Sequence, residues 1–182
     1  MAEPLIRLAT AADAAAIAAI YAPYVTDTFV SFEEVAPDPE EMARRIAGNG
    51  AGVHPWLVAE LDGRVIGYAS SSAFRSRPSY RWTVETGVYL APEAQGRGLG
   101  RSLMERMLNL LTQQGFTAVV AGITLPNPAS VALHEKLGFA PTATYRDTGF
   151  KLGDWRTVQV FARDLAPRLI PPSEIRPFAD VA

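Results

Sequence analysis

The stretch Gln95-Gly96-Arg97-Gly98-Leu99-Gly100-Arg101 decides the reading of this chain, because it joins a strand-like run to an amphipathic helix through closely spaced glycines. Before it, Thr83 to Leu90 alternates as a strand, with Glu85, Gly87 and Tyr89 on one face and Val84, Thr86, Val88 and Leu90 on the other. After it, Leu99, Leu103, Met107, Leu110 and Leu111 draw the apolar stripe of a helix that Gly115 ends. A turn placed there leaves the first peptide N–H groups of the helix free to point at one anion. Arg97 and Arg101 add charged donors, which suits a diphosphate better than a neutral ligand. The spacing is not Gly-x-Gly-x-x-Gly, no acidic residue ends a following strand at the dinucleotide distance, and there is no Gly-Lys-Ser/Thr. Dinucleotide and metal-bound nucleoside triphosphate sites are therefore excluded.

The flanking sequence supplies the rest of the fold. A short strand at Leu5 to Leu8 leads to Thr10, whose hydroxyl can cap a helix with Asp13 three residues on, and Ile17, Ile20, Tyr21 and Tyr24 follow at helical spacing. An extended piece around Thr28 to Phe32 precedes Asp38-Pro39-Glu40-Glu41, a helix start. Trp56 to Leu61 and Arg64 to Ser72 flank Asp62-Gly63, a hairpin signal. Phe116 to Leu125 is strand-like, Asn127-Pro128 opens a helix ending at Gly138, and strands fit Ala140 to Thr148 and Thr157 to Asp164. The expected order is β-α-β-α-β-β-β-α-β-α-β-β, a mixed α/β domain on one largely antiparallel sheet.

Composition narrows the chemistry. The 182 residues suit one domain, placed at 1–166, with a proline-rich tail at 167–182 that wraps the domain or hangs free. A formal net charge of −2 gives no basic excess for nucleic acid or an anionic membrane surface. With no cysteine, a disulfide framework, a thiolate metal site and an acyl-cysteine intermediate are excluded together, and no metal is expected. Met1 to Ala9 lacks a long apolar core, and no stretch approaches the ~18 apolar residues of a membrane span, so a cytoplasmic location is expected.

Gln95-x-x-Gly98-x-Gly100 resembles the pyrophosphate-binding motif of the GNAT superfamily of N-acetyltransferases, and Asn127-x-Ala129-x-x-Ala132-Leu133-His134-x-x-x-Gly138-Phe139 resembles its last-helix motif. The closest resemblance, over Ile6 to Leu165, is to the phosphinothricin and methionine sulfoximine N-acetyltransferases. It is carried by Ile20-Tyr21, Gly67-Tyr68-Ala69, Arg75, Arg81, Thr83-Val84-Glu85, Val88-Tyr89, Gly98-Leu99-Gly100, His134, Leu137-Gly138-Phe139 and Lys151-x-Gly153-x-Trp155.

The resemblance implies a GNAT fold with a splayed strand pair, acetyl-CoA as co-substrate, a small amino-acid-like acceptor and a homodimer. Cofactor contacts fall at Val88, Tyr89, Leu90, Gln95, Gly96, Arg97, Gly98, Leu99, Gly100, Arg101 and Asn127. Glu85 takes the place of the base and His134 that of the donor to the departing thiolate, where many GNAT enzymes have tyrosine. Read from the residues alone, Glu85 is a solvated strand carboxylate or a base, and His134 is a solvent-facing helix residue. Acceptor contacts are expected from Phe32, Arg75, Arg77 and Tyr80 together with Glu85, Thr86 and Gly87, and Lys151 and Trp155 serve either the pocket or a dimer contact. Arg77-Pro78 and Thr157 depart from the relatives' pattern near the expected acceptor pocket. Two other readings remain: another amine acceptor, such as a protein N-terminus, a polyamine or an antibiotic, and a CoA-binding module without catalysis.

Overall fold

The computed structural model describes residues 3–48 and 52–181; Met1, Ala2 and Ala182, which belong to the N-terminal segment and the tail read above, lie outside the described residues. The elements are β1 (Leu5–Leu8), α1 (Ala14–Thr26), α2 (Pro39–Ala47), β2 (Trp56–Leu61), β3 (Arg64–Ala73), β4 (Thr83–Leu90), α3 (Leu99–Gln114), β5 (Ala118–Thr124), α4 (Pro128–Lys136), β6 (Ala140–Lys151) and β7 (Asp154–Asp164). One sheet runs β1-β2-β3-β4-β5-β7-β6, antiparallel at every pair except β4–β5. This is the mixed α/β, largely antiparallel architecture expected from the sequence.

Local chemistry explains most boundaries. Asp62 and Gly63 turn the β2–β3 hairpin with φ of 51° and 76°, the left-handed pair that two-residue hairpins require. Asp38 Oδ1 accepts the Glu41 N–H at 2.8 Å to cap α2, and Asn127 caps α4 by accepting from Ser130 N–H at 3.1 Å. At the start of α1, the Asp13 carboxylate takes the Thr10 N–H at 2.8 Å, and the Arg7 guanidinium holds that carboxyl below the usual range.

Two expectations change. Thr28 to Phe32 is not a strand, because the Thr28 hydroxyl donates to Tyr24 O and accepts from Val30 N–H, while Ser31 Oγ accepts from Glu33 N–H. Those side-chain bonds turn the backbone and displace a ladder. The last hairpin is longer than expected, since Leu152 and Gly153 form a two-residue turn at φ 52° and 79°. A leucine in the left-handed region carries no sequence signal for such a turn.

Helices cover both faces of the sheet. Leu103, Met104, Met107 and Leu111 of α3 pack with Leu57, Ala69, Val84 and Val119 on one face. Ile17, Tyr21, Val25, Met42 and Ile46 of α1 and α2 pack with Val58 and Tyr68 on the other. Each such side chain contributes ~1.5–3 kcal/mol by burial, which makes β4 and its neighbours a rigid platform. Residues after β7 run back over the domain: Gln114, fully buried, donates to Val53 O and Arg176 O at 2.9 Å, and Trp82 Nε1 donates to Ser173 O at 2.7 Å.

Candidate active site

The sheet opens at one seam. β4 and β5 pair in parallel only from Thr83–Ala118 to Glu85–Val120, after which β4 stays with β3 and β5 with β7. Along β4, alternate residues direct their peptide groups to opposite sides. Ala91 N–H bonds Ile66 O on β3, whereas Leu90 turns both its N–H and its C=O away, to the Tyr24 hydroxyl at 3.3 and 2.7 Å. By that parity Val88, two residues earlier, presents its N–H and C=O to the gap. Leu90 was expected to share this edge, but Tyr24 occupies its peptide groups, and the same hydroxyl accepts from Gln95 Nε2 at 3.1 Å. Tyr24 thus ties the end of β4 to the glycine turn. Its only sequence signal was its place in the apolar stripe of α1.

At the turn, Gly98 stands at φ 81° as the residue before α3, with open space where a side chain would project. Gly100 is buried against Leu133 and Leu90 and serves packing between helices. Arg101 pairs with Glu105 at 2.8 Å on the exposed side of α3. The Tyr89 side chain turns away from the gap into a ring cluster with Tyr21, Tyr24 and Tyr68, and burial pushes its phenol pKa up.

The gap is a cleft lined by Val30, Thr86–Tyr89, Ala121–Thr124, Asn127, Ser130 and His134. His134 is 3% exposed, so it is not the solvent-facing residue that its helix position alone suggested. Its Nδ1 lies 2.8 Å from Ser130 O, and a carbonyl only accepts, so Nδ1 carries a proton and in the neutral ring Nε2 has a lone pair. That Nε2 is buried without a partner among the described residues. Burial pushes the imidazole pKa down, with the Ser130 carbonyl opposing, which favours the neutral ring.

Glu85 lies on the face opposite Val84, as its alternation predicted, and burial pushes its carboxyl pKa up. A Cβ at Gly122 on β5 would stand 3.6 Å from Glu85 Oε1, so the carboxylate leans over the seam. Its cross-strand partner Ser72 lines a cavity of about 550 Å³ with Trp56, Tyr68, Ser70, Arg45 and Tyr89. Trp56 stacks on Tyr68 at 5.7 Å and Tyr68 on Tyr89 at 5.2 Å, forming an aromatic floor. Sequence reasoning missed this floor, although Trp56 and Tyr68 alternate correctly on their strands.

Arg75, Arg77 and Tyr80 line an adjoining cavity of about 340 Å³, which shares His54 and Ala73 with the larger one and is also lined by Glu174 and Ile175 of the C-terminal segment. Arg75 lies over the Phe74 and Tyr80 rings at 5.0 and 5.8 Å. Phe32 is elsewhere, packed on Gly149 of β6. Thr86 is buried with its hydroxyl 3.5 Å from Val120 O, and Gly87 keeps the floor clear beside Ser70. The Thr157 hydroxyl accepts the Asp147 N–H and donates to the Asp147 carboxylate, each at 3.3 Å, across the β6 irregularity. Lys151 is buried, while Trp155 is 58% exposed. Among the described residues no group of His, Asp and Glu could hold a metal ion, and no helix is long and apolar enough to cross a membrane.

A sheet parted along a parallel seam beside an anion-ready helix start is the arrangement of an acyl-CoA-dependent transferase. The model of the acetyltransferase (GNAT) family matches residues 17–139, and the chain belongs to that family. It is 39% identical over 179 residues to a phosphinothricin N-acetyltransferase of Streptomyces viridochromogenes, covering 97% of this chain and 95% of the relative. It is 40% identical to the L-methionine sulfoximine/L-methionine sulfone acetyltransferase of Salmonella typhimurium, covering 82% and 88%. The crystal structure of a phosphinothricin acetyltransferase from Sinorhizobium meliloti in complex with AcCoA superimposes with a TM-score of 0.90 at 37% identity, covering 97% of each chain.

Proposed function

We propose that the enzyme moves the acetyl group of acetyl-CoA to the amino group of a small amino-acid-like acceptor of the phosphinothricin, methionine sulfoximine or methionine sulfone type, by direct attack in a ternary complex. The observation that carries this is the seam: beyond Glu85 the β4–β5 ladder ends, and Val88 directs its peptide groups into a cleft that has the glycine turn at one end and Glu85 and His134 beside it. An extended pantetheine arm fits such an edge as a further strand, and its pyrophosphate meets the N-terminus of α3.

Acetyl transfer requires a neutral amine, and an α-ammonium is mostly protonated near neutral pH. Glu85 takes one proton, and the amine nitrogen attacks the thioester carbon while the Val88 N–H supports the developing oxyanion. His134 Nε2, with its lone pair, then takes the second proton from nitrogen and returns it to sulfur as the C–S bond breaks, leaving amide and CoA thiol. Glu85 releases its proton to water. This route lets a neutral histidine act as donor without being charged beforehand.

Arg75 and Arg77 supply the cations that phosphinate or sulfoximine oxygens demand. We assign catalysis to residues 1–166 and a strapping role to 167–182, supported by the Gln114 and Trp82 bonds to Arg176 and Ser173. Exposed Tyr145, Phe150, Leu152 and Trp155 on the β6–β7 hairpin favour a homodimer. A cytoplasmic location fits the supply of acetyl-CoA. Thiol release from acetyl-CoA should be fast with phosphinothricin or methionine sulfoximine and slow with a peptide N-terminus or a polyamine. The reverse order would assign a different acceptor, and no release with any amine would leave a CoA-binding module.

A further inference from the structure

Lys151 ends β6 with its side chain turned inward and is 8% exposed. A buried ammonium is costly unless it is fully paired. Here Nζ donates to two backbone carbonyls, Ser31 O at 2.5 Å and Glu33 O at 2.7 Å, which stand on either side of Phe32. Two residues earlier on the same strand is Gly149, where an added Cβ would lie 2.3 Å from Phe32 Cζ. The strand is thus shaped around the ring, with its small residue under Phe32 and its cation on the flanking carbonyls.

The segment also has anchors on its opposite side. Glu33 accepts from both Arg45 terminal nitrogens at 2.8 and 2.9 Å and from the Tyr21 hydroxyl at 2.9 Å, and Tyr21 shares a 2.7 Å hydrogen bond with Ser31. Just upstream, Val30 enters the cleft wall beside Gly87, Gly122 and His134, and the Phe29 ring carries the Arg156 guanidinium at 4.3 Å. Because residues 27–38 form no helix or strand, their position depends on these tethers.

We infer that Lys151 is a positioning residue of the acceptor site, which fixes the carbonyls around Phe32 and so, through Glu33, holds Arg45 and Tyr21 in place at the wall of the larger cavity beside the arginines. The inference rests on the acetyltransferase reading above and names what shapes the acceptor side of that site. If stability alone were served, an apolar side chain of the same length would do as well as a desolvated cation. The cation adds direction: its donors select one placement of the two carbonyls.

The test is steady-state kinetics on Lys151→Met, which keeps the stem and removes the donors, and on Gly149→Ala, which keeps Lys151 and pushes the Phe32 ring. Both should raise KM for the amino-acid acceptor by ~10-fold or more, with KM for acetyl-CoA changing less than ~2-fold and kcat at saturation less than ~3-fold. If Lys151→Met does not fold, Gly149→Ala decides by the same readout. Folded variants with unchanged KM for the acceptor, or with both KM values raised equally, overturn the inference and leave Lys151 a residue of general stability. A wild-type enzyme without turnover on these acceptors overturns the functional reading itself and removes the site this inference describes.

Discussion

Glu85→Gln should lower turnover by ~10²–10⁴-fold while acetyl-CoA and the acceptor still bind. Glutamine keeps the shape of the carboxylate between Ser72 and Gly122 but has no lone pair basic enough to take the ammonium proton. Burial raises the Glu85 pKa, so the wild-type rate climbs with pH as the carboxyl loses its proton at a value above the ordinary range. In the variant that limb disappears, and only the limb from the amine's own ionisation remains. Raising the pH should therefore recover part of the loss, because solvent then supplies free amine. Full wild-type turnover across the neutral range would remove Glu85 from the mechanism, and Glu33, already committed to Arg45 and Tyr21, is poorly placed to replace it.

His134→Ala should lower turnover by about 10²-fold with little change in KM for acetyl-CoA. The neutral ring is the active form in this account, since its Nε2 must accept before it donates. Burial lowers the imidazole pKa, so protonation disables the ring only at pH below the usual histidine range. The sign follows for stability too. A histidine held neutral in the fold binds fewer protons than the unfolded chain, so the fold loses stability as pH falls through the ordinary histidine pKa and downward. His134→Gln should flatten that acid limb in thermal melts. A limb that persists unchanged in the variant would place the titration elsewhere.

What the sequence disclosed was chiefly what is local. Asp62-Gly63, Gln95 to Gly100 and Asn127-Pro128 each encode a turn or cap within a few residues, and each stands where expected. Thr28 to Phe32 misled because its strand-forming residues are overridden by the Thr28 and Ser31 hydroxyls bonding the nearby backbone. The reach of the last hairpin depended on a leucine at positive φ, which no propensity anticipates.

The site divided along the same line. The alternation of β4 put Glu85 on its proper face, whereas the protonation state of His134 depends on one carbonyl a helical turn away. Tyr24, Trp56 and Lys151 act across 66, 12 and 120 residues of separation, respectively on Leu90, Tyr68 and Ser31, and such pairings have no sequence period. The separation of Phe32 from the arginines is likewise a result of packing on Gly149.

The most direct test of the central claim is initial-rate kinetics of thiol release with acetyl-CoA and the acceptor amino acid varied together. Direct attack on a thioester held in the β4–β5 seam predicts intersecting double-reciprocal lines and no thiol released by the enzyme in the absence of acceptor. The lack of cysteine agrees with that expectation by removing the most reactive acyl carrier. Parallel lines, or a burst of free CoA stoichiometric with enzyme before any acceptor is added, would contradict the account by demonstrating an acetylated enzyme.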